Sequence, residues 1–71
     1  MKSKQIQPAL TNREIEILQL CSQGLTNGKI AESLVISAHT VKAHICNILK
    51  KLNANSRTQA VVIAAKNGMI S

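Results

Sequence analysis

Lys42, Ala43 and Cys46 lie in a stretch, about 38–52, whose apolar residues recur at helical spacing. Val41, Ile45, Ile48, Leu49 and Leu52 fall at i, i+4, i+7, i+8 and i+11 and make one inward stripe. The opposite face carries His39, Lys42, Ala43, Cys46 and Lys50, with long basic residues toward its ends and small ones in its middle. Bulky side chains would hold such a helix away from a partner, whereas Ala43 and Cys46 let it approach. No acid follows Glu32, so the face meets an anion without repulsion from its own half of the chain. A cationic helix with a shallow middle suits the major groove of DNA, which is wide enough to admit one.

The chemistry is therefore recognition. No nucleophile stands beside a base at useful spacing, no metal-ligand cluster occurs and no Gly-rich phosphate loop is present, so neither an enzyme nor a cofactor or metal site is expected. His39 and His44 are five residues apart, which does not put them on one helix face as a metal pair. Cys21 and Cys46 are too few and too far apart for a zinc site, and no disulfide is expected between them.

Composition narrows the class further. A chain of 71 residues holds one domain with a small core. With no Phe, Tyr or Trp, that core must be Ile, Leu, Val and Ala, and a channel that stacks single-stranded bases on aromatic rings is excluded. The sequence has no run of 18 apolar residues and no charged-then-apolar leader, so a soluble, cytoplasmic protein with neither membrane span nor signal peptide is expected. Net charge is +6, and all three acids, Glu14, Glu16 and Glu32, fall in the first half. A one-signed field over the other half suits a polyanion. Charge alone fits a solvated basic surface equally well; the helix spacing is what favours DNA.

Four helices must position the cationic face. Residues 1–9, MKSKQIQPA, read as a flexible lead or linker stub. Thr11 with Glu14 forms a capping box, and Leu10 with Ile15 a hydrophobic staple, so the first helix runs about 12–23 with Ile17, Leu18 and Cys21 inward and Gly24 as terminator. Thr26 caps the second helix, about 27–34, with Leu25 and Ile30 as staple and Ile30, Ala31 and Leu34 inward. Lys29 stands where Glu or Gln would close its box, and Gly28 costs it about 1 kcal/mol against Ala, so this helix must be held by packing. Val35 and Ile36 make the turn and Ser37 caps the third helix, a connection short enough to force a crossing of about 90–120°. After the loop Asn53-Ala54-Asn55, Ser56 with Gln59 is a further capping box, opening a fourth helix at about 57–67 that Gly68 ends. Arg57, Ala60, Val61 and Ala64 share one side of it. Thr58, Val62, Ala65 and Met69 make a second stripe, which in so small a domain suggests a partner surface.

The all-α, helix-turn-helix reading rests on spacing within 27–46. Counting from Asn27, Ala31 is fifth, where two helices touch closely, and Val41 is fifteenth, on the inner side of the second helix. The ninth place, often Gly, is Val35.

With these residues in place the chain resembles the LuxR-type (GerE-like) DNA-binding domain of bacterial transcription regulators. The resemblance is carried by Leu10-Thr11, Arg13-Glu14, Glu16-Ile17-Leu18, Gly24-Leu25-Thr26-Asn27, Ile30-Ala31, Leu34, Ile36-Ser37, Thr40-Val41-Lys42, His44, Ile48, Lys51-Leu52, Arg57-Thr58-Gln59-Ala60 and Gly68, over about 10–70. It departs at Gly28-Lys29, where the family usually has a basic residue and then Glu, and at Ile15, usually polar. The resemblance implies a four-helix domain, 10–71, with recognition helix 38–52 in the major groove and a homodimer through the fourth helix. It also implies operators with two half-sites; the chain reads as a whole small regulator, or as the output domain of a response regulator or of a ligand-sensing protein.

Carried over by position, Lys42, Ala43 and Cys46 are the expected base contacts, and His39, on the same outward face, is expected with them. Lys42 can donate to guanine O6 and N7, and Ala43 and Cys46 can touch a thymine methyl. Thr26, Asn27, Lys29, Thr40, Lys50 and Lys51 are expected at phosphates, although Thr26 and Thr40 serve equally as caps. His44 is assigned to phosphate with packing as its alternative. Thr58, Val62, Ala65 and Met69 are the expected dimer interface. RNA polymerase is a further candidate partner, and no small molecule is expected in this domain. The competing reading is a protein-interaction or non-specific architectural DNA-binding module.

Overall fold

The computed structural model describes residues 10–70; the lead expected over 1–9 lies outside them. Four helices follow in order: α1 (Asn12–Ser22), α2 (Asn27–Leu34), α3 (Ala38–Leu52) and α4 (Arg57–Lys66). The described residues contain no strand. None of these helices is long and apolar enough to cross a membrane.

Each helix starts where its side chains can hold a free first-turn amide. Thr11 accepts from the Glu14 amide while Glu14 Oε1 accepts from the Thr11 amide at 2.9 Å, so the α1 capping box is complete. Thr26 and Ser37 cap α2 and α3 through their hydroxyls alone. The α4 box is only half formed. Ser56 Oγ accepts from the Gln59 amide, but Gln59 Oε1 takes the amide of Asn55, one residue before the cap. The Gln59 side chain thus closes the loop rather than the cap.

The helix ends explain the sharp turns. Gly24 and Gly68 take positive φ past α1 and α4, as their lack of a Cβ allows. Val35 and Asn53 do the same at the ends of α2 and α3, with φ of 56° and 53°. For Asn this is a favoured exception; for a β-branched residue it is strained. At Val35 the strain carries the turn between α2 and α3, closed by the Ile36 amide on the Ala31 carbonyl at 3.0 Å. The Val35 side chain is 89% exposed, so it gains nothing from packing. Val35→Asn is therefore expected to stabilise the domain by about 1 kcal/mol, seen as a melting temperature higher by roughly 4–8 °C. A melting temperature at or below the parent's would contradict the strain.

The core is aliphatic. Ile17 and Leu18 of α1, Ile30 and Ala31 of α2, Val41, Ile48 and Leu52 of α3, and Ala60 and Ala64 of α4 are buried together with Ile70. Leu34, Ile45, Leu49 and Cys21, expected on the inward stripes, are half-buried at the core's margin. Helix α3 packs on all three other helices, which fixes its axis and leaves one face free.

Candidate nucleic-acid interface

That free face is the expected one: His39, Lys42, Ala43, Cys46 and Lys50 are all exposed. Asn47 is exposed beside them, one turn on from Ala43. Its amide can pair with adenine, and an uncharged residue outside the basic pattern offers little in the sequence to single it out.

Several of the other expected contacts are already engaged within the domain. The Thr26 hydroxyl accepts from the Lys29 amide at 3.2 Å. The Ser37 hydroxyl accepts from the Thr40 amide at 3.0 Å and lies 2.8 Å from the Thr40 hydroxyl. Both threonines thus take part in capping. Asn27 is half-buried at the start of α2, and its Oδ1 accepts from Arg57 Nη1 at 2.6 Å. His44 is half-buried on the flank of α3. Lys50 is exposed on the open face.

Lys51 belongs to a different structure. Its ammonium donates to Glu14 Oε1 at 2.8 Å, joining the last turn of α3 to the first turn of α1. Glu14 is 4% exposed and is the buried charged residue of the described chain. Burial alone pushes its carboxyl upward. The bond from Lys51, the Thr11 amide and the Lys51 charge pull harder the other way, so its pKa lies below the ordinary value of 4.5. The expected phosphate contact is therefore first a structural pin.

Charge pairing concentrates the field. Glu16 pairs with Arg13 at 3.3 Å, Glu32 with Lys29 at 3.9 Å and Glu14 with Lys51 at 2.8 Å. The first two pairs are exposed and add little stability, but every acid now has a neighbouring base. The cations left without an acid among the described residues are Lys42, Lys50, Arg57 and Lys66. Two of these four stand on the open face of α3.

On α4, Ala60 and Ala64 face the core, while Thr58, Val62 and Ala65 are exposed. Met69 departs from this pattern: it is half-buried and packs against the core. It follows the turn at Gly68, where the helical spacing of the stripe no longer applies. Both cysteines are free thiols, Cys21 half-buried and Cys46 exposed. Burial pushes the Cys21 thiol up, against a smaller opposing pull from Arg57, which leaves it protonated near neutrality. The described residues contain no cluster of metal ligands.

The family model for bacterial regulatory proteins, luxR family, matches residues 8–64. The chain belongs to this family. This luxR-type domain is 56% identical over 61 residues to the transcriptional regulatory protein DegU of Brevibacillus brevis, a match covering 86% of the chain and 26% of DegU. It is 44% identical over 69 residues to the response regulator protein VraR of Staphylococcus aureus, covering 97% of the chain and 33% of VraR. The chain thus spans between a quarter and a third of these relatives. The solved structure of the transcription factor GerE superposes with a TM-score of 0.84 at 39% identity, covering 87% of this chain and 92% of that one. The four-helix fold and the luxR-type membership expected from the residues are both established. The domain is of the DNA-binding, transcription-regulating kind and is not an enzyme.

Proposed function

We propose that α3 reads base sequence in the major groove, with Lys42, Ala43, Cys46 and His39 toward the base edges and residues 10–71 acting as one unit. The carrying observation is the open face of α3, where two unneutralised lysines flank small side chains. Lys50 together with Thr26, Asn27, Lys29, Thr40 and His44 supplies backbone contacts through side chains and first-turn amides. Lys51, held by Glu14, reaches a phosphate only if its ammonium serves both. The exposed stripe Thr58, Val62 and Ala65, with Met69 at its edge, pairs two copies on an operator whose half-site centres lie about 34–36 Å apart. Action on a bacterial chromosome places the protein in the cytoplasm.

Selection of bound duplexes from a random library tests this directly. An inverted repeat supports sequence readout and two-fold pairing together, whereas recovery of unrelated sequences favours an architectural role. On the selected site, Lys42→Ala should weaken binding by about 1–3 kcal/mol and relax base preference at one position. Lys50→Ala should instead weaken all duplexes alike and lower the salt slope by about one. Lys42→Ala with parental affinity and preference would remove α3 from the groove.

A further inference from the structure

Arg57 lies at the first position of α4, yet its guanidinium reaches the start of α2. Nη1 donates to Asn27 Oδ1 at 2.6 Å and Nη2 donates to the Leu25 backbone carbonyl. The Cys21 thiol lies against the same group. These residues line a shallow cleft of about 560 Å³ that continues to Gly28. A primary amide has one acceptor oxygen and two N–H donors. With the oxygen committed to a cation, the Asn27 Nδ2 donors point away from Arg57 and have no acceptor among the described residues. The neighbouring Gly28 is exposed, and a Cβ there would meet only Thr26 Oγ1, at 3.9 Å, so the first turn of α2 is bare on that side.

We propose that Arg57 is a positioning residue for DNA: by holding Asn27 Oδ1, it aims the two Asn27 N–H donors at a backbone phosphate beside the first turn of α2. The inference rests on the reading of Asn27 as a phosphate contact. Without the guanidinium the amide is free to turn its oxygen outward, and an oxygen facing a phosphate repels it. The bond to the Leu25 carbonyl matters as much. It fixes the turn that leads into Thr26, so donor direction and helix start are set by one side chain.

The test is binding to a mixed-sequence duplex of two helical turns across a salt series, with melting curves to check the fold. Asn27→Ala and Arg57→Gln are each expected to weaken binding about tenfold, and the double variant no further than either alone, because both remove one contact. A direct phosphate contact by Arg57 would lower the salt slope by about one; a positioning role leaves the slope unchanged. Arg57→Lys, which keeps a donor toward Oδ1, should recover part of the loss. Asn27→Asp keeps the acceptor for Arg57, and hence the fold, but removes both donors and adds a negative charge. It should bind more than tenfold more weakly even if the Arg57 variants prove unstable. Parental binding by Asn27→Asp or Asn27→Ala would sink the phosphate reading and the inference with it. Weakened binding by Asn27→Ala beside unaffected Arg57→Gln, additive losses in the double variant, or a slope reduced by Arg57→Gln would overturn the positioning role alone.

Discussion

Val62→Glu should leave the domain folded and weaken binding to a two-half-site duplex by about 10²–10⁴-fold, while binding to a single half-site stays near the parental value. Val62 is 49% exposed and stands opposite the side of α4 where Ala60 and Ala64 enter the core, so a carboxylate there meets water in the monomer. In a two-fold contact the same surface faces its own copy. Two new carboxylates would then be brought together and stripped of water, which a small apolar contact cannot offset. The predicted loss is large because pairing makes the second half-site contact intramolecular, at an effective concentration in the millimolar range. Ala65→Glu, also exposed on this face, should behave alike. Gel-shift titrations on one-site and two-site duplexes separate the outcomes. Equal parental affinity on both duplexes would mean that α4 is not the interface.

Lys51→Met should cost about 2–3 kcal/mol of stability, a fall in melting temperature of roughly 10–20 °C for a domain of this size. Methionine keeps an unbranched apolar stem where the lysine ran, so the loss reports the ammonium. What it removes is the charge-assisted bond at 2.8 Å to a carboxylate that is 4% exposed. That carboxylate also closes the α1 cap, so the damage reaches the first turn of α1 as well as the end of α3. The pair also dictates an acid response. The folded-state pKa of Glu14 lies below the ordinary 4.5, so its contribution is fully present above that value and is lost as pH falls through the depressed one. Melting temperature should drop in that acid range for the parent and respond much less in Glu14→Gln. A flat profile for the parent, or a Lys51→Met variant as stable as the parent, would show that the pin bears no load.

Much of this architecture is legible in the sequence because its signals are local. Thr11, Thr26, Ser37 and Ser56 announce helix starts through hydroxyls that bond three residues on. The stripe Val41, Ile48 and Leu52 announces which side of α3 must be covered, and so which side stays open. What could not be read is non-local. Lys51 and Glu14 are 37 residues apart and Arg57 and Asn27 are 30 apart, separations at which no periodicity operates. Glu14 gave a complete local account of itself as a capping residue, which hid its burial. Lys51 looked like one more surface cation in a basic run. The buried Ile70 lies beyond the last helix, where helical spacing says nothing about direction. Val35 shows the reverse case. The missing glycine was visible, but the turn forms there in spite of the residue because the packing of α2 on α3 overrides the local cost.

The open face of α3 has one further consequence. His39, Lys42, Ala43, Cys46 and Asn47 are all exposed in the free domain, whereas Val41, Ile48 and Leu52 do the packing from the other side. Exposed substitutions away from caps and buried pairs usually change stability by less than about 0.5 kcal/mol. On the reading proposed above, address and scaffold are therefore written in separate alphabets on one helix. Under that reading, duplicated copies of such a gene can drift to new operators one side chain at a time, without first acquiring spare stability to survive the change.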